Sequence, residues 1–266
     1  MKLRISVRHG AWFIIILLAA APWLHAQVNT EAMRRELATN GVQSQLGATF
    51  EYASGNNTYA DIGANYRFDV RSGPVYAFLV ANYNRGASSD DLLHKTDLYQ
   101  NDGFAHIRCI YSLDSVFRPE AFVQKEFNDF ILLRDRDLVG AGLRMRLLNL
   151  CDSTRTLQGD LGIGGMFEYE HISSVPEETT RLFRSTNYIA LRYSVSAGTS
   201  VGLTTYYQIA PKDPHDFRVL ADASLTVQLS TILSFTTSAH YRYDNDPPPA
   251  VKHYDMKIAN GLGVTF

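Results

Sequence analysis

From about residue 42 to the last residue, apolar and polar side chains alternate with a period of two. Ala60, Ile62, Ala64, Tyr66 and Phe68 show the pattern, and so do Val139, Ala141, Leu143, Met145 and Leu147. It recurs in Leu161, Ile163 and Phe167, and in Val219, Ala221, Ala223, Leu225, Val227 and Leu229. Alternation of this kind separates the two faces of a strand, whereas a helix would repeat every 3.6 residues. The chain therefore divides into about twelve strands, over 42–53, 58–69, 74–84, 101–113, 117–128, 137–148, 155–171, 182–195, 197–210, 216–230, 232–244 and 252–266. Most match or exceed the 9–11 residues that a tilted strand needs to cross a bilayer. In the third strand Tyr76, Phe78 and Val80 compete with Ala77, Leu79 and Ala81 for the apolar face, so its register stays open.

Connection length sorts by parity. After even-numbered strands the links are short, as in Val70-Arg71-Ser72-Gly73 and Asp114-Ser115-Val116. After odd-numbered strands they are mostly longer and polar, as over residues 85–100, 129–136, 172–181 and 245–251. A two-sheet sandwich has no reason to sort its loops in this way. Short turns on one side and long loops on the other are expected of an all-β, antiparallel, transmembrane barrel of the outer membrane, with both termini periplasmic.

The ends of the chain agree. Lys2, Arg4 and Arg8 precede an apolar run from Ala11 to Ala21, and Leu24-His25-Ala26 has the form of a cleavage site, so residues 1–26 read as a signal peptide. The apolar run is shorter than the roughly 20 residues of a membrane-spanning helix. Residues 27–41 follow as a short periplasmic segment, where Met33 and Leu37 at i, i+4 suggest one or two helical turns, and 42–266 form the barrel. Phe266 ends the final alternation on an aromatic residue, which resembles the assembly signal of outer-membrane barrels. The expected location is the bacterial outer membrane. The expected partners are its lipid, lipopolysaccharide and, during biogenesis, the barrel-assembly machinery, with the chain itself a monomer. Aromatic residues make up 12% of the chain while mean hydropathy is only −0.14, as expected when one face meets lipid and the other a polar lumen. A net charge of −2 offers no basic field for nucleic acid. Cys109, within a strand, and Cys151, in a turn, are not placed to meet and read as free thiols.

The middle strands carry charge on the inward face in alternating sign. The fourth offers His106 and Arg108, the fifth Glu120 and Glu126, the sixth Arg144 and Arg146. The seventh offers Asp160, Glu168 and Glu170, and the eighth Arg184 and Arg192. Neighbouring strands lie about 4.8 Å apart, so these groups can pair laterally as a ladder that cross-links and narrows the lumen. In particular, Arg144 is expected to stand between Glu120 and Glu168. From the ninth strand onward the inward set is milder, with Ser200, Thr204, Tyr206, Gln208, Ser224, Thr226, Thr236 and Ser238.

The segment from Arg218 to Leu225, then Tyr241-Arg242-Tyr243-Asp244, Pro247-Pro248, Lys252, Asp255 and the terminal Gly263-Val264-Thr265-Phe266, resembles the YdiY-like family. The resemblance extends more loosely to Glu120-Ala121-Phe122-Val123-Gln124, Leu133-Arg134-Asp135-Arg136 and Gly140-Ala141-Gly142-Leu143-Arg144. It implies a salt-induced outer-membrane barrel of the cell envelope and specifies no reaction.

A catalytic alternative rests on His171, Ser173 and Asn187. A hairpin pairing that set His171 opposite Asn187 would resemble outer-membrane phospholipase A, where a histidine activates a serine and an asparagine orients the imidazole. The Asn-Gly that follows that serine is replaced here by Ser174-Val175. Asp90-Asp91 could bridge lipopolysaccharide through a divalent ion. Asp244-Asn245-Asp246 resembles the start of a calcium loop but runs into Pro247-Pro248-Pro249. No catalytic residue, metal or cofactor site is therefore assigned. The expected role is that of a structural barrel or narrow, porin-like channel, with a lipid hydrolase and a barrel that recognises partners through its external loops as the alternatives.

Overall fold

The computed structural model describes residues 30–264 apart from 32, 35, 36, 38, 56, 57, 91–94, 197, 249 and 250. The leader assigned to 1–26 and the terminal Phe266 lie outside the described residues. Twelve antiparallel strands follow one another as neighbours in a single sheet. They are β1 (Gly41–Ala53), β2 (Thr58–Ser72), β3 (Val75–Asp90), β4 (Lys95–Tyr111), β5 (Phe117–Asn128) and β6 (Leu133–Cys151). The second half comprises β7 (Thr156–Ile172), β8 (Glu178–Ser196), β9 (Thr199–Ala210), β10 (Asp213–Gln228), β11 (Leu233–Asp244) and β12 (Tyr254–Val264). Cys151 thus ends a strand instead of lying in a turn, and it and Cys109 are free and exposed.

Several strands overrun the expected bounds at the end opposite the short turns. Much of the loop expected over 85–100 is strand, because the β3–β4 ladder continues past a bulge at Gly86/Ala87 as far as the pair Asp90 and Lys95. β6 and β8 begin earlier for the same reason, so the extra residues after odd-numbered strands serve mainly as rising hairpins. At the other end, Gly73 and Pro74 join the paired Ser72 and Val75. Gly73 has φ 56°, a region that glycine enters without a Cβ clash.

The sheet curls until its far members share one interior. Tyr188 on β8 donates to Glu120 on β5 at 3.1 Å, and Arg218 on β10 meets Glu168 on β7 at 3.0 Å. Among the described residues no ladder joins β12 back to β1. Side chains on both faces of these two strands are largely exposed, so the seam is the least protected part of the wall.

The two surfaces invert the usual order of a globule. Leu46 is 77% exposed, Phe50 72% and Phe167 65%, while Arg136, Arg144 and Arg184 are among the largest fully buried side chains. The open register of β3 resolves with Tyr76, Phe78 and Val80 inward, where Phe104 and Ile110 of β4 join them. Met33 and Leu37 of the N-terminal segment pack against this cluster. That segment, expected to hang in the periplasm, enters the barrel, since Thr30 and Glu31 are buried at 4% and 0% exposure.

Candidate functional site

Every charged residue expected on the inward face lies there, but the partners differ from a simple lateral ladder. Two ionic clusters stack along the barrel axis. The first lies toward the end from which β1 starts. Arg108 of β4 meets Glu120 of β5 at 3.1 Å, and Arg144 of β6 meets Asp160 of β7 at 2.6 Å. Arg146 reaches the other oxygen of Asp160 at 2.9 Å.

The N-terminal segment completes this cluster. Arg34 binds Glu120 at 2.7 Å and its own neighbour Glu31 at 2.7 Å. Glu31 also lies 2.6 Å from Arg144, 3.6 Å from Arg192 and 3.8 Å from Arg108. The Arg144 contact lies off the hydrogen-bonding direction, because neither Glu31 Oε1 nor Arg144 Nη1 has a hydrogen-bond partner. The attraction there is ionic and undirected. Thr30 adds a hydroxyl that accepts from Arg108 at 2.6 Å.

The second cluster lies toward the opposite end. Arg136 bridges Glu126 and Glu170, the latter at 3.0 Å. Arg218 of β10 spans the lumen to Glu168 at 3.0 Å and Glu170 at 3.1 Å, and binds Asp244 at 2.9 Å. Arg184 joins Glu168 at 3.1 Å to Asp216 at 2.8 Å.

Arg144 and Glu168 therefore do not pair. Arg144 stands opposite Gly162, whereas Glu168 stands opposite Leu138, six positions away along β6. Alternation had placed both residues inward, yet it holds no information about depth. Arg192 likewise turns to Glu31 instead of Glu168.

A cavity of ≈ 30 Å³ inside the barrel is lined by His106, Glu120, Gln124, Tyr188, Tyr206 and Gln208, among others. That is room for a water or two. Gly140 and Gly162 leave space on the inner wall for rings from the adjacent strands: a Cβ at either position would strike Phe122 or Tyr188. His106 Nδ1 faces Gln124 Oε1 at 3.1 Å while Arg108 donates to His106 Nε2 at 3.3 Å, so the ring proton sits on Nδ1 and the imidazole is neutral. The histidine is a satisfied wall residue, stacked between Phe104 and Phe122.

The catalytic alternative does not assemble. His171 pairs with Thr179, and Asn187 pairs with Ile163, eight positions along β7. That offset is about 27 Å of strand, far outside hydrogen-bond reach. His171 instead meets Glu177 at 3.1 Å, and Asn187 donates to Ser185 at 3.0 Å. Asp244 is committed to Arg218, which removes it from any calcium loop. Asp91 lies outside the described residues. Among the described residues no group of three or more His, Cys, Asp or Glu could hold a metal ion.

What the alternation could not supply is Thr30, Glu31 and Arg34, together with the cross-lumen reach of Arg218. The only trace of the first was the apolar i, i+4 pair Met33 and Leu37, which marks an amphipathic segment without naming its dock.

Comparison with known proteins gives a family and no role. The chain resembles the NanC porin with 8% identity and a TM-score of 0.44, over 84% of this chain and 99% of that one. It also resembles OmpT, an outer-membrane protein of Vibrio cholerae, with 10% identity and a TM-score of 0.25, over 85% of this chain and 96% of that one. No relative was found among curated proteins. The model of a protein family of unknown function, DUF481, matches residues 45–266, which include all but the first residues of β1, and the chain belongs to that family.

Proposed function

We propose that the chain is a monomeric barrel of the bacterial outer membrane and acts as a narrow channel whose closed state is held by its own N-terminal segment. The membrane location is supported by the inversion of surfaces. A belt of exposed Leu, Ile, Val, Phe and Tyr surrounds buried arginines and carboxylates, an arrangement suited to lipid outside and polar lumen inside. Lipid and lipopolysaccharide are the partners of such a belt, and kinship with salt-induced envelope barrels belongs to the same reading. A catalytic role is not part of it, because the offset between His171 and Asn187 leaves the serine without an oriented base.

The observation that carries the channel reading is the seating of Glu31 and Arg34 among wall residues of opposite charge. A purely structural barrel could fill its interior from the wall alone. Here a separate segment, joined to β1 through Gly41, closes one half of the lumen. Gly41 has φ 154°, within the range that glycine adopts readily.

Planar-bilayer recordings test this. The full chain should show low unitary conductance, and Glu31→Gln combined with Arg34→Gln should raise it severalfold by releasing the segment. Equal conductance in the two proteins would mean that the segment does not close the path.

A further inference from the structure

The surroundings of Glu31 have the composition of a binding site for something other than the chain. Without the N-terminal segment, the wall in this half carries the guanidiniums of Arg108, Arg144, Arg146 and Arg192 against the carboxylates of Glu120 and Asp160. Among these groups four cations face two anions. The N-terminal segment brings Arg34 together with Glu31, so seating it adds one charge of each sign and leaves the positive excess in place. An uncompensated buried charge is costly, so this part of the wall favours an anion. Glu31 is fully buried, with Arg34 Nε at 2.7 Å on one oxygen and Arg144 Nη1 at 2.6 Å on the other.

The fit is incomplete in an informative way. Arg144 is fully buried, yet its Nε and Nη1 donors have no hydrogen-bond partner, and Glu31 Oε1 beside them has none either. Nε and Nη1 lie on different edges of the guanidinium, so an acceptor aligned with either one would make a charge-assisted hydrogen bond that is not made now. Glu31 is tethered through its backbone and stands beside Nη1 without making it. A free carboxylate has no such tether. The ≈ 30 Å³ cavity adjoins Arg108, and its polar lining of Glu120, Gln124, Tyr188 and Gln208 offers hydrogen-bonding groups to the remainder of a hydroxylated solute.

We propose that Arg108, Arg144 and Arg192 form a carboxylate-binding site on the lumen wall, that Glu31 is its resident intramolecular occupant, and that a hydroxylated solute bearing a carboxylate displaces it. The proposal deepens the channel reading by giving the class of solute that would open the path, and it rests on that reading for its role in passage. Binding itself does not depend on conduction, so the two can fail separately.

The test is calorimetric titration of the detergent-purified full chain with glucuronate, with glucose as the uncharged control, at constant ionic strength. Glu31→Gln vacates the site of its charge while keeping its shape, and should bind glucuronate at least about tenfold more tightly than the unaltered protein, a difference well within calorimetric resolution. Glucose should bind neither protein detectably. Arg192 is 37% exposed at the side chain, so its loss is tolerable to the fold. Glu31→Gln combined with Arg192→Gln should lose most of the gain. Should glutamine stay locked in the place of Glu31, Glu31→Ala provides the same vacancy without a side chain to hold. Glucuronate binding no tighter in both Glu31 variants than in the unaltered chain, or unaffected by Arg192→Gln, would overturn the site. Tight, Arg192-dependent binding in a protein that never conducts would keep the site and discard the channel.

Discussion

Arg144→Ala is the most demanding perturbation of the interior, because the guanidinium has no exposed surface and meets carboxylates on two sides. Removing one partner of a buried ion pair typically costs about 3–5 kcal/mol, since the remaining charge is left in a medium that solvates it poorly. Each carboxylate left behind retains one cation. Asp160 keeps Arg146 at 2.9 Å, and Glu31 keeps Arg34 at 2.7 Å. That residual pairing places the expected loss at the low end of the range, about 3 kcal/mol. Lys125→Ala supplies the internal standard. Lys125 is also paired with two carboxylates, Asp135 at 2.7 Å and Asp137 at 3.0 Å, but its side chain is 61% exposed and should cost under about 1 kcal/mol. Urea unfolding of both variants in lipid vesicles, followed by far-ultraviolet circular dichroism, gives the comparison. Midpoints that shift equally in the two variants would show that Arg144 stands in water, and the account of a packed ionic lumen would fall with it.

Three further outcomes follow from particular contacts. Gly162→Ala should destabilise the barrel by about 1–3 kcal/mol, because its Cβ would push Tyr188 off the wall, whereas Gly261→Ala meets nothing within 4 Å and should change little; unfolding midpoints of the pair decide between space and backbone propensity as the cause. Amide hydrogen exchange should be fastest in β1 and β12, which lack a ladder to each other among the described residues, and slowest in β6 and β7; uniform protection would show a closed seam. In the turn after β4, backbone N–H groups of Phe117 and Val116 donate to Asp114 at 2.7 Å each and hold its carboxyl below the usual aspartate range. The stabilisation is therefore fully present above the ordinary aspartate value and lost as pH falls through the lowered one. A carboxyl-carbon NMR titration giving Asp114 an ordinary midpoint would remove the cap.

Period-two alternation by itself determined the strands and their faces. Alternation gives β5 the bounds 117–128 that it has, and His106, Arg108, Glu120, Glu126, Arg144, Arg146, Asp160, Glu168, Glu170, Arg184 and Arg192 lie inward as their parity requires. The reason is geometric: successive side chains of a strand point to opposite faces whatever the neighbouring strand does. Depth and partner are another matter. They depend on the stagger between strands, which put Arg144 beside Asp160 and separated His171 from Asn187. The third strand stayed ambiguous because both of its faces are apolar, and only the packing of Met33 and Leu37 onto Tyr76, Phe78 and Val80 shows why the inward face carries the larger residues. The seating of the N-terminal segment was least legible of all. Residues 30–40 are too short for a period to declare their environment, and the burial of Glu31 exists only because curvature of the sheet brings arginines from β4, β6 and β8 to one point.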